Sequence, residues 1–427
     1  MARHSWSLLL GFSLTLGVSC SRPPAPRPSA IEISVPYEVD TLDPHARNRL
    51  SNFAIVSHFY EPLVTTDTNM SIHPCLATRW DNPDLVTWVF HLRPQVRFHS
   101  GKTLDADDVV YSFQRLLGKN DLGVAGYVLN IERVRALDPL TVEIKTSAPM
   151  SILLNKIRFV LIIPKGATTA SLSRGVDGTG PYAFESWKPG VEIRMTRNEK
   201  TWGPRPTLSH VTVRLARSPE QALADLTAGH SDLVQLNSRS GGVAAGKLPG
   251  VIVKKQTSIY VKYLSYDQSH EVTPFCPGIP NPFRKKQVRE AINLAIDRAA
   301  LVARLSSDGV PAWQAVPPFI FGYNPAVREP RYQPDQARAL LAQAGYPKGF
   351  TVTLHVRKIF EEAAAIVKEM LGKVGIRVTV SALPDAEYFA IVSEKKASFF
   401  LSRFGCPTGD VSDILDGAIH TFDPGRH

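Results

Sequence analysis

The adjacent carboxylates Asp107 and Asp108 are the residues in this chain most suggestive of acid–base chemistry. Two neighbouring carboxyl groups can divide the roles of proton donor and proton acceptor. They follow Asp105, however, which is a favoured residue at a helix N-cap, and acidic side chains stabilise the positive end of a helix dipole. A place in the first turn of a helix accounts for both carboxylates, so we predict no catalytic role for them.

A glycine-rich stretch at residues 241–247, Gly-Gly-Val-Ala-Ala-Gly-Lys, has the spacing of a phosphate-binding loop. Leu248 stands where the loop needs a hydroxyl to hold Mg²⁺, and Pro249 interrupts the helix that should follow. The sequence also lacks His-Glu-x-x-His, paired Cys-x-x-Cys and Gly-x-Ser-x-Gly patterns. We therefore predict a flexible loop at 241–247 and no catalytic residue, metal site or cofactor.

Composition is that of an ordinary globular protein of 427 residues, with 44% apolar and 21% charged residues. This length predicts two or three domains. The net charge of +10 would suit an acidic partner, but the basic residues are spread along the chain and are not interleaved with aromatic residues. A solvated basic surface is the better interpretation, and no nucleic-acid partner is predicted.

The N-terminus has the pattern of an export signal. Arg3 and an apolar run from Leu8 to Val18 precede Ser19-Cys20, and the run is too short to span a bilayer. Its end resembles a bacterial lipobox, which predicts a signal peptide at 1–20 and lipidation of Cys20. The proline-rich residues 21–30 then form a tether. An ordinary signal peptide, with Cys20 unmodified, is the alternative.

The pattern of strand, turn and helix at residues 87–113 is distinctive. Apolar residues alternate at Trp88, Phe90 and Leu92 as in a half-buried strand, and Ser100-Gly101 is a turn signal. The stretch resembles the signature of the peptide and nickel class of bacterial extracellular solute-binding proteins, family 5. Proteins of that family are receptors of ABC importers.

Three further motifs of this family follow in the family's order. They are Gly178-Thr179-Gly180-Pro181-Tyr182, the helical segment Val288–Arg298 and the helical segment Tyr332–Pro347. The resemblance implies an α/β protein with the two-lobed periplasmic-binding-protein fold, class II, of the large peptide-binding type, with mixed sheets and hinge strands. It implies a first lobe with an extra subdomain at 31–258 and a second lobe at 259–427.

Periodicity adds local expectations. Phe350–Val356, a helix at 361–374 and a strand at 375–380 form a strand–helix–strand unit, hence a parallel strand pair. The apolar run Leu153–Pro164 has a strand-like pattern, and Phe53–Pro62 a helical one. Members of the family generally continue for several tens of residues beyond His427, which leads us to expect that the segment returning from the second lobe to the first is missing.

The resemblance also implies ligand-binding residues between the lobes. In peptide-binding relatives an aspartate after a late strand pairs with the ligand's amine, which points to Asp410, with Asp413 as a rival and helix capping by Asp410 as the alternative role. Backbone groups of an extended ligand would pair with Phe404, Gly405 and Cys406. The remaining candidates are Glu38 and Val39 before the Leu-Asp-Pro loop, and Arg357, either facing a ligand carboxylate or lying on the surface.

Beyond Cys20, the chain has three cysteines, Cys75, Cys276 and Cys406. An oxidising compartment favours one disulfide and one free thiol, and three pairings are possible. We expect Cys276 to pair with Cys406, because both fall in the second lobe implied by the resemblance.

These features predict a monomeric, lipid-anchored receptor in the cell envelope, on the periplasmic or extracytoplasmic side. It would capture peptides or a similar solute and deliver them to the permease of an ABC importer. A receptor for a nickel complex, heme or a sugar is the first alternative, because a fold does not determine its ligand. A secreted enzyme on the same scaffold is disfavoured, since the sequence shows no nucleophile, base or metal constellation.

Overall fold

The computed structural model of the protein describes residues 29–119, 121–237, 239–305 and 309–415. The expected signal peptide and Cys20 lie outside these residues. In chain order the strands and helices are β1 (Ala30–Val35), α1 (Leu50–Val56), β2 (Val64–Thr66), β3 (Ile72–Pro74), β4 (Ala77–Asp81), β5 (Thr87–Leu92), α2 (Ala106–Gln114), β6 (Ile131–Asp138), β7 (Thr141–Thr146), α3 (Leu153–Ile157), α4 (Thr169–Arg174), β8 (Tyr182–Lys188), β9 (Glu192–Arg197), β10 (His210–Leu215), α5 (Pro219–Thr227), β11 (Leu233–Val234), α6 (Arg239–Ala245), β12 (Tyr260–Tyr266), α7 (Lys286–Ala295), α8 (Arg298–Arg304), α9 (Pro334–Gln343), β13 (Thr351–Arg357), α10 (Glu361–Gly372), β14 (Arg377–Leu383), α11 (Asp385–Ser393), β15 (Phe399–Gly405) and α12 (Ser412–Ile414). Short 3₁₀ turns occupy Gly123–Val128, Pro282–Arg284 and Lys358–Phe360.

The first sheet is mixed, with the strand order β11-β1-β10-β9-β8. β1 runs parallel to β10 and β11, whereas β9 runs antiparallel to β8 and β10. Side chains of this sheet pack with the segment around Phe59, which is completely buried. Full burial of an aromatic side chain of this size contributes about 1.5–3 kcal/mol.

The second sheet is antiparallel, with the order β4-β5-β7-β6, and α2 packs against it. The helix begins as the sequence predicts. The Asp105 carboxylate accepts hydrogen bonds from the backbone N–H groups of Asp107 (3.0 Å) and Asp108 (3.3 Å), and Asp108 accepts one from the N–H of Asp105 (3.1 Å). Asp108 thus belongs to the capping box of α2, and Asp107 forms an ion pair with Lys165. Both carboxylates therefore have structural partners.

The third sheet, with the order β12-β15-β13-β14, contains the predicted parallel pair. β13 and β14 are parallel and are joined by α10, which buries Ile366 and Leu371 in the core of this sheet. β12 is antiparallel to β15, so the first and last strands of this part of the chain lie side by side.

Strand pairing divides the described residues into two lobes. β1–β11 pair only among themselves, and β12–β15 likewise. Each of these two parts of the chain has its own buried apolar core residues. Two large clusters lie before α6 in the sequence, and one large cluster lies after it. The two-lobed α/β fold with mixed sheets is therefore confirmed.

Three local expectations were wrong. Leu153–Ile157 is helical (α3), because a short apolar run does not distinguish a buried strand from a buried helix. α1 covers Leu50–Val56 and ends well before Pro62. The glycine-rich residues at 241–245 belong to α6 and do not form a loop.

The expected disulfide is not present in the structure. Cys75, Cys276 and Cys406 are all free and buried. Cys276 lies in the large core of the second lobe, whereas Cys406 lies in a separate small cluster with Val316 and Ile320. Two sulfur atoms packed into different cores do not meet, which corrects the pairing of Cys276 with Cys406.

Candidate functional site

The loop that follows β15, residues 406–411, lies against the first lobe. The Asn155 side-chain amide donates a 2.8 Å hydrogen bond to the carbonyl of Thr408, and the Arg158 guanidinium donates to the carbonyl of Pro407. Thr408 is completely buried, and Met70 of the β2–β3 turn packs against Gly409. The loop that carries Asp410 is thus located where the two lobes touch.

Asp410 is partly exposed in this loop. Its Oδ1 accepts a 2.8 Å hydrogen bond from the backbone N–H of Ser412, the first residue of α12, although the N-cap residue of this helix is Val411. No donor among the described residues bonds to its Oδ2. A second segment fixes the backbone on both sides of Asp410, since Phe321 donates to the carbonyl of Gly409 (3.0 Å) and accepts from the N–H of Val411 (2.9 Å). The carboxylate is positioned and keeps one oxygen available.

Asp413, the rival carboxylate, is engaged within the loop itself. Its Oδ2 accepts hydrogen bonds from the backbone N–H (2.9 Å) and the hydroxyl (2.8 Å) of Thr408. Burial raises the pKa of Asp413 above its usual range. Asp413 therefore shapes the loop through Thr408, and no described donor bonds to its Oδ1.

The neighbouring candidates have different environments. Phe404 and Gly405 lie opposite Val261 and Tyr260 of β12, and β13 pairs with β15 only as far as Leu401. The other edge of residues 402–405 has no strand partner among the described residues. The Cys406 side chain is 1% exposed, and burial raises its thiol pKa to about 11. Only its backbone could contribute to such pairing.

The candidates of the first lobe are not brought to this loop by any described contact. Val39 is buried in the core of the first sheet. Glu38 is exposed and lies beside Gly190 in the turn between β8 and β9. Sequence reasoning placed both at the ligand, and the structure assigns Val39 to packing.

Arg357 already has a carboxylate partner within the chain. Its Nε donates to Oδ1 of Asp385 (2.8 Å), and a second guanidinium nitrogen donates to Oδ2. The guanidinium carbon lies 5.6 Å and 5.3 Å from the ring centres of Phe360 and Phe389. Pairing with Arg357 lowers the pKa of Asp385. The expected role of Arg357 toward a ligand carboxylate thus competes with an internal bidentate ion pair.

Two cations that sequence reasoning missed lie beside Arg357. Lys262 of β12 and Arg403 of β15 are opposite each other in the strand register, and both are solvent-accessible. The Lys262 ammonium lies 5.5 Å from the centre of the Phe360 ring, and the Arg403 guanidinium 4.7 Å from that of Tyr260. Partial burial, together with the charge of Arg403, lowers the pKa of Lys262. Alternation of residue types within β12 shows which of its side chains share a face of the sheet. The sequence contains no local signal for the register between two distant strands, so it did not predict that Lys262 and Arg403 are neighbours.

The wall of the first lobe opposite the loop is aromatic and polar. The Tyr127 hydroxyl donates a 3.0 Å hydrogen bond to Oδ1 of Asn48, and its ring stacks on Phe159 at 4.5 Å. Burial raises the pKa of Tyr127 and lowers that of Arg158. Here too the residues come from distant parts of the chain, so their meeting depends on the fold.

The contact at residues 406–411 thus brings polar and aromatic groups of both lobes together, an arrangement that suits a protein that binds a solute between its lobes. Within the described ranges no group of His, Cys, Asp and Glu side chains is arranged to hold a metal ion. No helix in those ranges has the length and apolar character needed to cross a bilayer.

Comparison with known proteins identifies the family. The profile of "Bacterial extracellular solute-binding proteins, family 5 Middle" matches residues 71–424, so the chain belongs to this family and is a solute-binding protein. The glutathione-binding protein GsiB of Salmonella paratyphi A is 27% identical over 429 residues, covering 96% of this chain and 81% of GsiB.

Solved structures share the fold. The periplasmic binding protein DppA of Helicobacter pylori, solved with the peptide STSA, superposes with a TM-score of 0.75 at 23% identity, covering 90% of this chain and 80% of DppA. The substrate-binding protein CtaP of Listeria monocytogenes superposes with a TM-score of 0.80 at 19% identity, covering 93% and 82% of the two chains.

Proposed function

We propose that this protein is the receptor of an ABC importer, that it binds peptides or a similar solute between its lobes, and that it releases the solute unchanged to a membrane permease. Membership of the solute-binding family and likeness to GsiB and DppA support this proposal. The observation that carries it is the loop at 406–411, which presents a carboxylate with an available oxygen at the contact between the lobes.

Asp410 would hold the ligand's ammonium group. An ammonium enclosed by two lobes loses its hydration, and this loss is tolerable only if a carboxylate replaces the water. The open edge of residues 402–405 would bind the ligand backbone in the manner of an added strand. Closure around the ligand would shift the population toward the form that the permease recognises.

Isothermal titration calorimetry tests this role. The probes are trialanine, N-acetyl-trialanine and glutathione. We expect trialanine to bind, and acetylation of its amine to abolish binding. Asp410→Asn should weaken binding by a factor of about ten or more, because the ammonium would keep no charged partner. Asp121→Asn, at an exposed position of the first lobe, is the matched control. Failure of every probe to bind the wild-type protein would contradict a peptide receptor.

Asp413→Asn separates the two carboxylates. We expect this variant to melt at a lower temperature, because Thr408 loses the acceptor of two hydrogen bonds, while a free amine is still preferred over an acetylated one. Retention of that preference in Asp410→Asn and its loss in Asp413→Asn would transfer the ammonium-binding role to Asp413.

The remaining proposals concern organisation and location. The absence of strand pairs between β1–β11 and β12–β15 in the described residues supports lobes at 31–258 and 259–427. Residues 1–20 would be a signal peptide, and Cys20 would carry the lipid that anchors a monomer to the membrane through the tether at 21–30. Mass spectrometry of the N-terminal peptide recovered from the membrane fraction would detect the lipid, and an unmodified Cys20 would contradict the anchor.

A further inference from the structure

We propose that Lys262 and Arg403 form an anion-binding site on the second lobe and that the preferred ligand carries a carboxylate in addition to its C-terminal one, as an acidic peptide does. This inference rests on the proposed function, because it assigns a ligand class to the same receptor. The groups that carry it belong to four elements of the second lobe and meet around the ring of Phe360.

The arrangement of the cations is the first argument. Lys262 and Arg403 are direct partners in the antiparallel pair β12–β15, so their side chains lie on the same face of the sheet. Like charges in that relation destabilise a sheet unless an anion lies between them or near both. The pair therefore favours binding of a negatively charged group.

The ring of Phe360 brings a third cation to the same place. It is 4% exposed, and its centre lies 5.5 Å from the Lys262 ammonium, 5.6 Å from the Arg357 guanidinium and 5.9 Å from that of Arg403. An aromatic face attracts one cation, but three at similar distances repel one another. Aromatic contact holds the side chains in position without neutralising their charge.

The carboxylates nearest to Lys262 and Arg403 are those of Glu362 and Asp385. Asp385 is bound by Arg357 through two hydrogen bonds, and the charge of Arg403 also contributes to its lowered pKa without a hydrogen bond between them. Glu362 is close enough to oppose the lowering of the Lys262 pKa. Neither Lys262 nor Arg403 has a hydrogen-bonding or salt-bridging acceptor among the described residues. The second lobe therefore presents two cations whose hydrogen-bond donors are available to a ligand.

The position of the pair relates it to the proposed ammonium site. Arg403 packs on Tyr260, which lies opposite Gly405 immediately before the loop of Asp410. The first lobe is also near, since the charge of Arg49 contributes, after those of Arg357 and Arg403, to the lowered pKa of Asp385. One ligand in contact with both lobes could therefore place its ammonium on Asp410 and its carboxylates on Lys262 and Arg403.

A pair of isosteric peptides tests the charge requirement in the wild-type protein. Ala-Glu-Ala and Ala-Gln-Ala have nearly the same shape and differ by one negative charge. We expect calorimetry to show Ala-Glu-Ala binding about tenfold or more tightly, with the difference decreasing at high salt as screening weakens the attraction. This comparison needs no variant and therefore does not depend on whether a variant folds.

Variants then locate the effect. The double variant Lys262→Met/Arg403→Met should bind the two peptides with similar affinity, whereas Lys368→Met, at an exposed position on α10, should retain the wild-type preference. Equal binding of both peptides by the wild type would overturn the inference while leaving a peptide receptor intact. A preference that survives the double variant would also overturn it. If the wild type binds neither these peptides nor trialanine, the proposed function itself fails.

Discussion

The Asn155 side chain of the first lobe donates a 2.8 Å hydrogen bond to the carbonyl of Thr408, two residues before Asp410. Arg158, one turn further along the same segment, donates to the carbonyl of Pro407. The acceptors are backbone atoms, so the contact constrains the position of the loop whatever its side chains. The candidate ammonium site is therefore held by the first lobe although it belongs to the second.

Removing this contact should favour separation of the lobes. In Asn155→Ala the ligand-free protein loses one cross-lobe hydrogen bond, which is worth about 1 kcal/mol and changes the ratio of closed to open forms roughly fivefold. We expect small-angle X-ray scattering to give a larger radius of gyration than for the wild type. Asn130→Ala, at an exposed position of the same lobe, is the control. An unchanged radius in Asn155→Ala would show that other contacts keep the lobes together.

The ion pair of Asp43 and Arg115 should matter for stability more than any surface pair. Asp43 is completely buried, and Arg115 donates to both of its oxygens at 2.9 and 2.5 Å. Arg115→Met leaves a buried carboxylate without its cationic partner, which costs about 3–5 kcal/mol in the free energy of unfolding. Urea denaturation measures this loss.

A control distinguishes this effect from a general loss of positive charge. Arg133 pairs with Glu143 but is half exposed, so Arg133→Met should cost no more than about 1 kcal/mol. Adding Asp43→Asn to Arg115→Met should recover part of the loss, because the buried charge is gone. Similar losses for Arg115→Met and Arg133→Met would contradict the burial argument.

His45 should make the protein less stable in mild acid. Its ring is fully buried, Nε2 donates to the carbonyl of Leu161 at 2.8 Å, and burial lowers its pKa from 6.5 to about 4. Below about pH 6.5 the unfolded chain binds a proton that the folded protein does not. Stability therefore falls from about pH 6.5 down to about pH 4, by about 3 kcal/mol in total.

Urea denaturation at a series of pH values measures the effect. His45→Gln keeps an N–H donor for Leu161 and removes the titrating ring, so its stability should fall less steeply over the same interval. Burial also lowers the pKa values of His58, His99 and His355. The stability of the variant should therefore still fall with decreasing pH, but less than that of the wild type. A variant with the wild-type slope would exclude His45 as its source.

The sequence predicted those features that depend on neighbouring residues. The capping box of Asp105 and the parallel pair β13–β14 follow from local chemistry and from the length of a crossover. The expected helical segment Val288–Arg298 is interrupted at Ile296 and Asp297, where the extended backbone ends α7 before α8 begins. Whether a segment forms a helix or a strand depends mainly on residues close to it in the sequence, so most helices and strands were predicted.

The site was predicted only in part, because its geometry depends on the register between distant strands. Arg357 was visible as a cation after a strand, but its pairing with Asp385 was not. Lys262 and Arg403 meet because β12 and β15 align in one particular register over 140 residues of intervening chain. A single sequence contains no local pattern for that alignment.

The thiols should be unreactive in the folded protein. Cys75, Cys276 and Cys406 are free and buried, and burial raises the pKa to about 12, about 12 and about 11, respectively. The thiolate is the reactive species, so both access and ionisation are suppressed. In a Cys20→Ser variant, Ellman's reagent should detect no thiol in the native protein and three in concentrated guanidinium without reductant. A single thiol under those conditions, rising to three with reductant, would establish a disulfide after all, and peptide mapping of the unreduced protein would then show whether Cys276 and Cys406 form it.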